Sequence, residues 1–124
     1  MHAPRKEDLP FVGSSYEFVG ADRGDMPFSF FLAEAQPGRG APLHRHRYDE
    51  VLVMLECRGR QVVGDETREV EAGAIVVVKA GTPHGFINEG VLRQMDVHAH
   101  PSFEQENLEP TEASRRAGLP VVRS

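Results

Sequence analysis

The sequence predicts an all-β domain, a sandwich or barrel, from three observations. Short apolar runs recur at intervals of about 8–12 residues, Gly, Pro and Asp clusters break them, and helix signals appear only near the end. Twelve Gly and nine Pro in 124 residues favour tight turns over long helices. At this length one domain is expected, large enough to bury a core without disulfides.

In order along the chain, residues 1–15 read as an N-terminal arm, with 1–10 polar and irregular or forming an edge strand. Residues 16–101 carry the barrel and 102–124 a tail with a short helix. Strands are expected over 16–19, 28–35, 51–56, 61–63, 67–70, 74–78, 85–87 and 92–98. The loop from Gly20 to Pro27, the cluster from Pro37 to Pro42 and a hairpin turn at Gly64-Asp65-Glu66 separate them. In the tail Thr111 is the expected N-cap, with Glu112 in the first turn, Arg115 and Arg116 in the last and Gly118 ending the helix. That helix is expected to cover the barrel or a neighbouring subunit rather than carry chemistry.

Composition excludes several function classes. A net charge of −5 argues against a nucleic-acid partner, and no polybasic run suits anionic lipid. No apolar stretch approaches the roughly 20 residues of a membrane span. One cysteine, Cys57, rules out an internal disulfide and a Cys-rich metal site. The N-terminus has no hydrophobic signal core, so a cytoplasmic, reducing compartment is expected.

Two stretches carry the chemistry. The first places His44, His46 and Glu50 after Gly38; the second places His84 after Gly73 and Gly81, with Asn88 beyond it. Imidazole nitrogens and a carboxylate oxygen together bind first-row divalent metals well. His44 and His46 share a strand face, about 6.6 Å apart at their α-carbons. Glu50 on a straight strand would lie roughly 13 Å from His46, too far for shared ligation. The chain must therefore turn at Arg47-Tyr48-Asp49, and the Gly81-Thr82-Pro83 turn must deliver His84 from a distant strand. An isolated His-x-His is often two surface imidazoles; the added Glu50 and His84 are what point to one divalent ion, Fe, Mn, Ni or Zn.

These motifs resemble the cupin superfamily, whose first pattern, Gly-x5-His-x-His-x3/4-Glu-x6-Gly, falls on Gly38, His44, His46 and Glu50. Its second, Gly-x5-Pro-x-Gly-x2-His-x3-Asn, falls on Gly73, Gly81, His84 and Asn88. Two turn positions depart: Cys57 stands for the last glycine of the first pattern and Lys79 for the proline of the second. The resemblance implies a small single-domain double-stranded β-helix, the jelly roll. It also implies a three-His, one-Glu site within the barrel, and often a homodimer. It implies a metal-dependent enzyme on a small organic substrate, dioxygenase first, with lyase, decarboxylase, isomerase and cyclase as further classes. A non-catalytic metal-containing module that binds or senses a small ligand is the alternative.

Parity extends the inward face. Leu52, Met54 and Glu56 should point with Glu50, and Phe86 with His84. Leu52, Met54 and Phe86 are either plain core or the apolar wall of a substrate pocket. Gln94, Asp96, His98 and His100 share one face of the last strand, which meets solvent or lines a wet site. Gln94 joins the pocket candidates; His98 and Glu56 are the candidate acid–base groups. Cys57 has parity opposite to Glu50 and should not reach the metal, Lys79 reads as a solvated turn residue, and His2 has no visible partner. The aromatic run Phe28-Ser29-Phe30-Phe31 puts large side chains on both faces of its strand, so a second copy is expected to cover one of them.

Overall fold

The computed structural model describes residues 1, 3–56, 58–90 and 92–122; the expectations for His2 and Cys57 fall outside the described residues. The strands are β1 Phe11–Val12, β2 Ser15–Phe18, β3 Ser29–Ala35, β4 Gly40–Arg45, β5 Glu50–Glu56 and β6 Gly59–Val63. They continue as β7 Glu66–Val70, β8 Ile75–Val78, β9 His84–Asn88, β10 Leu92–His98 and β11 Glu106–Asn107, before α1 at Glu112–Ala117. The eight expected strands all form, within a residue or two at their ends. The Pro37–Pro42 turn cluster is shorter than expected because β4 already begins at Gly40, and two-residue strands β1 and β11 are added at sheet edges.

One sheet runs β1-β2-β3-β10-β5-β8 and the other β11-β4-β9-β6-β7. Every pairing is antiparallel. Between β3 and β6 the chain changes sheet at each step, and it does so again from β7 through β10, which is the jelly-roll pattern. The two inner faces make the core. Strand β3 alternates strictly, burying Ser29, Phe31, Ala33 and Ala35. Across the same sheet Glu17, Phe31, Asp96 and Leu52 form one inward row.

Parity fails at one place. Gln94 pairs with Met54 but Arg93 pairs with Glu56, so a residue is skipped and a bulge turns the end of β5 outward. Glu56 is exposed there and bonds Arg93 at 3.3 Å. The parity expectation that placed Glu56 beside Glu50 is corrected by this bulge.

The tail helix closes the second sheet. Thr111 accepts from the Ser114 amide at 3.1 Å, and Gly118 ends the helix at φ 80°. Ala117 and Leu119 then pack on Leu43 and Val62. No helix among the described residues is long and apolar enough to cross a membrane.

Candidate metal centre

His44 lies at the end of β4 and His46 one residue past it; the chain bends at residues 47 and 48, and Glu50 opens β5. His84 opens β9, directly opposite His44 in the β4–β9 ladder. The turn that delivers it is closed by the Thr82 amide on the Lys79 carbonyl at 3.0 Å, with Gly81 at φ 81°, a value that suits glycine at this turn position. All four side chains are 5% exposed or less. One ligand atom from each lies within 4.8 Å of all the others.

The three imidazoles are held in one tautomer. Nδ1 of His44 donates to the Pro42 carbonyl at 2.6 Å, that of His46 to the Glu104 carbonyl at 2.5 Å and that of His84 to the Thr82 carbonyl at 2.9 Å. A carbonyl only accepts, so each Nδ1 carries the proton and each Nε2 presents a lone pair inward. Such backing of ligand imidazoles by carbonyls is what fixes ring orientation at metal sites.

The cluster is short of positive charge. His84 Nε2 lies 2.8 Å from Glu50 Oε1, and His46 Nε2 lies 3.4 Å from the same oxygen. A neutral ring whose single proton is on Nδ1 cannot also donate from Nε2. Either a second proton on each ring or one cation shared by the four groups reconciles these nitrogens with the carboxylate. His46 Nε2 is buried without a hydrogen-bond partner among the described residues. A divalent cation supplies the missing charge and uses the orphaned nitrogen, so the four residues fit a single divalent transition-metal ion.

Burial keeps the His44 and His98 rings neutral near pH 7. Burial, then the neighbouring His84, pushes His44 down to about 3. Burial would raise Glu50, but His46 and His84, then His98, outweigh it and hold the carboxyl below its usual range. Burial lowers His98 to about 4, leaving it neutral near pH 7. Burial first, and then the Glu50 charge, pushes Asp96 up to about 8.

A cavity of about 320 Å³ opens onto the cluster. Of the sequence-derived pocket residues, Leu52 and Phe86 line it, and so does His98. Met54 and Gln94 are buried behind the wall: Met54 packs with Ala35 and Phe86, and Gln94 donates to Asp96 Oδ1 at 2.5 Å. The structure adds Phe31, Ala33 and Ala35 from β3, Glu17 and Ser15 from β2, and Phe103 and Gln105 from the tail. Sequence reasoning missed the β3 residues because both faces of that strand are apolar, so alternation could not say which looks inward. Phe103 and Gln105 had no signal, being in an irregular segment after the last barrel strand.

Comparison with known proteins agrees with this geometry. The Cupin_2 family, described as a cupin domain, matches residues 31–99. A search of curated proteins gives no match. Among solved structures, a variant of oxalate decarboxylase from Bacillus subtilis aligns with TM-score 0.73 and 20% identity, over 83% of this chain and 31% of that one. Oxalate decarboxylase from Lactobacillus farciminis with formate gives 0.71 and 20%, over 82% and 34%. A variant of salicylate 1,2-dioxygenase from Pseudoaminobacter salicylatoxidans gives 0.63 and 20%, over 70% and 26%. This chain thus spans about a third or less of the length of these three structures. With the family match covering more than half of its residues, its two sheets in jelly-roll order and its His/His/Glu/His cluster within one barrel, the chain belongs to the cupin family.

Proposed function

We propose that this protein is a metal-dependent cupin enzyme, with His44, His46, Glu50 and His84 holding one divalent ion and a small organic molecule as substrate. The observation that carries the reading is the shared approach of two Nδ1-protonated imidazoles to one oxygen of Glu50, which calls for a cation. A bound transition metal would polarise a substrate oxygen or support dioxygen chemistry. The chain's own residues do the rest. Phe31 and Leu52 from one sheet and Phe86 from the other give the cavity apolar walls that exclude water, while His98 and Asp96 offer hydrogen-bonding groups beside it.

Cavity size narrows the substrate. About 320 Å³ is near the lower end of the ~300–1,000 Å³ range of small-molecule sites. That suits a single substituted ring or a short-chain acid rather than a multi-ring flavonol. The aligned decarboxylases and dioxygenase act, by their names, on molecules of that size: oxalate and salicylate. Dioxygenase is the first class to test. Fe(II)-loaded protein in an oxygen electrode is screened against salicylate, catechol, short diketones and small acids, with carbon dioxide release followed in parallel. Turnover that disappears in Glu50→Ala supports the enzyme. Saturable binding without turnover assigns the chain to a sensing or sequestering module instead.

The same reading includes a homodimer. Across the outer face of the six-stranded sheet, Phe11, Tyr16, Leu32, Met95, Val53 and Ile75 form one unbroken row. Phe18, Phe30, Val97, Val51 and Val77 form the next. Six strands ~4.8 Å apart and two side-chain rows ~6.6 Å apart make an apolar area of about 400 Å², and a patch of that size often marks an interaction site. Ion pairs border it, Arg93–Glu56 and Lys6–Glu34 on one side and Lys79–Asp49 on the other. An apolar centre with a charged rim is interface anatomy, and an uncharged face is self-complementary under a two-fold axis. A single cysteine is in keeping with a reducing, cytoplasmic setting.

A further inference from the structure

His98 is the fourth buried histidine of the site, and it is held differently from the other three. Its Nδ1 faces a hydroxyl, Tyr48 Oη at 2.9 Å, rather than a carbonyl. Its Nε2 lies 3.3 Å from Glu50 Oε2, the carboxylate oxygen turned away from His46 and His84. That contact is within ion-pair reach but not aligned as a full hydrogen bond, and Nε2 has no other partner among the described residues. Strand pairing sets the arrangement, because His98 stands directly opposite Glu50 in the β5–β10 ladder.

Proton counting settles the direction of each contact. A carboxylate oxygen only accepts, so the His98 proton belongs on Nε2, facing Oε2. Nδ1 is then an acceptor, and the Tyr48 hydroxyl must donate to it. Tyr48 Oη also lies 3.2 Å from the Glu104 carbonyl, but one hydroxyl has one proton, and the 2.9 Å partner is the better placed. The Glu104 amide, 3.4 Å away, can in turn donate to Tyr48 Oη. The Glu104 carbonyl meanwhile accepts from His46 Nδ1. A chain of polar contacts therefore runs from Glu50 through His98 and Tyr48 to the backbone of Glu104 and back to His46.

Resting on the metal reading above, we propose that His98, held by Tyr48, is a positioning residue for Glu50: it draws Oε2 to itself, so that the carboxylate offers only Oε1 to the cation. A carboxylate that presents one oxygen occupies one coordination position and leaves another for substrate. Without the His98 N–H, Oε2 loses the protein group that draws it away and turns onto the cation, closing that position. Such groups behind a ligand are worth about 10–100-fold in metal affinity or activity. The tail is part of the device, since Glu104 braces both Tyr48 and His46.

The test uses Mn(II) as the probe, so that it needs no substrate. Wild type, His98→Gln, His98→Leu and Tyr48→Phe are loaded with Mn(II). Affinity, the electron paramagnetic resonance line shape and the number of exchangeable bound waters are then measured. A glutamine side chain would place an amide N–H near the position of the imidazole Nε2–H, so His98→Gln is expected to keep the wild-type line shape and water count. His98→Leu is expected to lose at least one exchangeable water, change its line shape and shift affinity by about 10–100-fold. Tyr48→Phe, which keeps the ring, should move the same way by less, and it carries the test if His98→Leu does not fold. Wild-type affinity, line shape and water count in His98→Leu, or in Tyr48→Phe where His98→Leu does not fold, would overturn the inference while leaving the metal reading standing. Failure of the wild type to take up Mn(II) or any other divalent metal would overturn both.

Discussion

The Gly81 amide donates to the carbonyl oxygen of His46 at 2.7 Å, tying the turn that delivers one imidazole to the strand end that delivers another. The two sequence motifs are therefore one mechanical unit before any metal is bound. Gly81 sits at φ 81°, where a β-branched side chain is strained. Gly81→Val should cost roughly 1–2 kcal/mol in thermal or denaturant unfolding and weaken metal binding by displacing His84. Lys79→Ala is the contrast. Its ammonium bonds Asp49 at 2.8 Å but is exposed, so metal content and melting temperature should barely change.

Removing a ligand is the more direct check. His46→Ala deletes an Nε2 that is buried without a hydrogen-bond partner among the described residues, so elemental analysis should find little or no metal in that variant. Full occupancy in it would refute the assignment. In the wild type, metal held at 100 times its dissociation constant would add about 2.7 kcal/mol to stability. Chelation should therefore lower the melting temperature by on the order of 10 °C, and His46→Ala should show no such response to chelator.

The metal tetrad could be read from the sequence because its geometry is local. His-x-His fixes one face, the distance to Glu50 demands a turn, and a Gly-led turn positions His84. The jelly roll followed from the same motifs through family resemblance, since strand spacing alone said only sandwich or barrel. The walls were harder. Leu52 and Phe86 followed from parity with the ligands, but parity broke at the bulge and sent Glu56 to solvent beside Arg93. Tyr48 read only as part of a turn, and nothing local marked the Glu104 carbonyl as a support for His46. Contacts made by backbone atoms 56 and 58 residues away leave no residue-type signature.

Without metal, stability should peak near pH 6.5. His44 and His98 have folded-state values of about 3 and 4, below the ordinary 6.5. Below pH 6.5 the unfolded chain takes up two protons there that the folded chain refuses, so stability falls as pH drops. Each contributes up to about 1.4 kcal/mol per pH unit. Asp96 acts oppositely: raised from 3.8 to about 8, it keeps a proton in the folded state that the unfolded state has lost, and its contribution disappears as pH rises towards 8. Between pH 4 and 6.5 two protons outweigh one and stability climbs with pH; from 6.5 to 8 only Asp96 acts and stability declines. Denaturant unfolding of chelated protein across pH 4–9 checks this. Asp96→Asn should flatten the limb above pH 6.5 and steepen the rise below it.

The outer sheet face offers a test that leaves the metal centre untouched. Val77 is 60% exposed on edge strand β8, in the apolar row that continues through Val51, Val97 and Phe30. Its neighbour Val78 faces inward and pairs with Glu50, so the side chain of Val77 is directed away from the ligands. In a two-fold dimer through this face, Val77→Lys would bury an ammonium in each apolar row without a partner, a cost that rim ion pairs cannot offset. Sedimentation of the wild type at micromolar concentration should give a dimer, and Val77→Lys a monomer that keeps its full metal content. A wild type that sediments as a monomer would leave the face without its proposed cover. A variant that remains dimeric would move the interface elsewhere on the barrel.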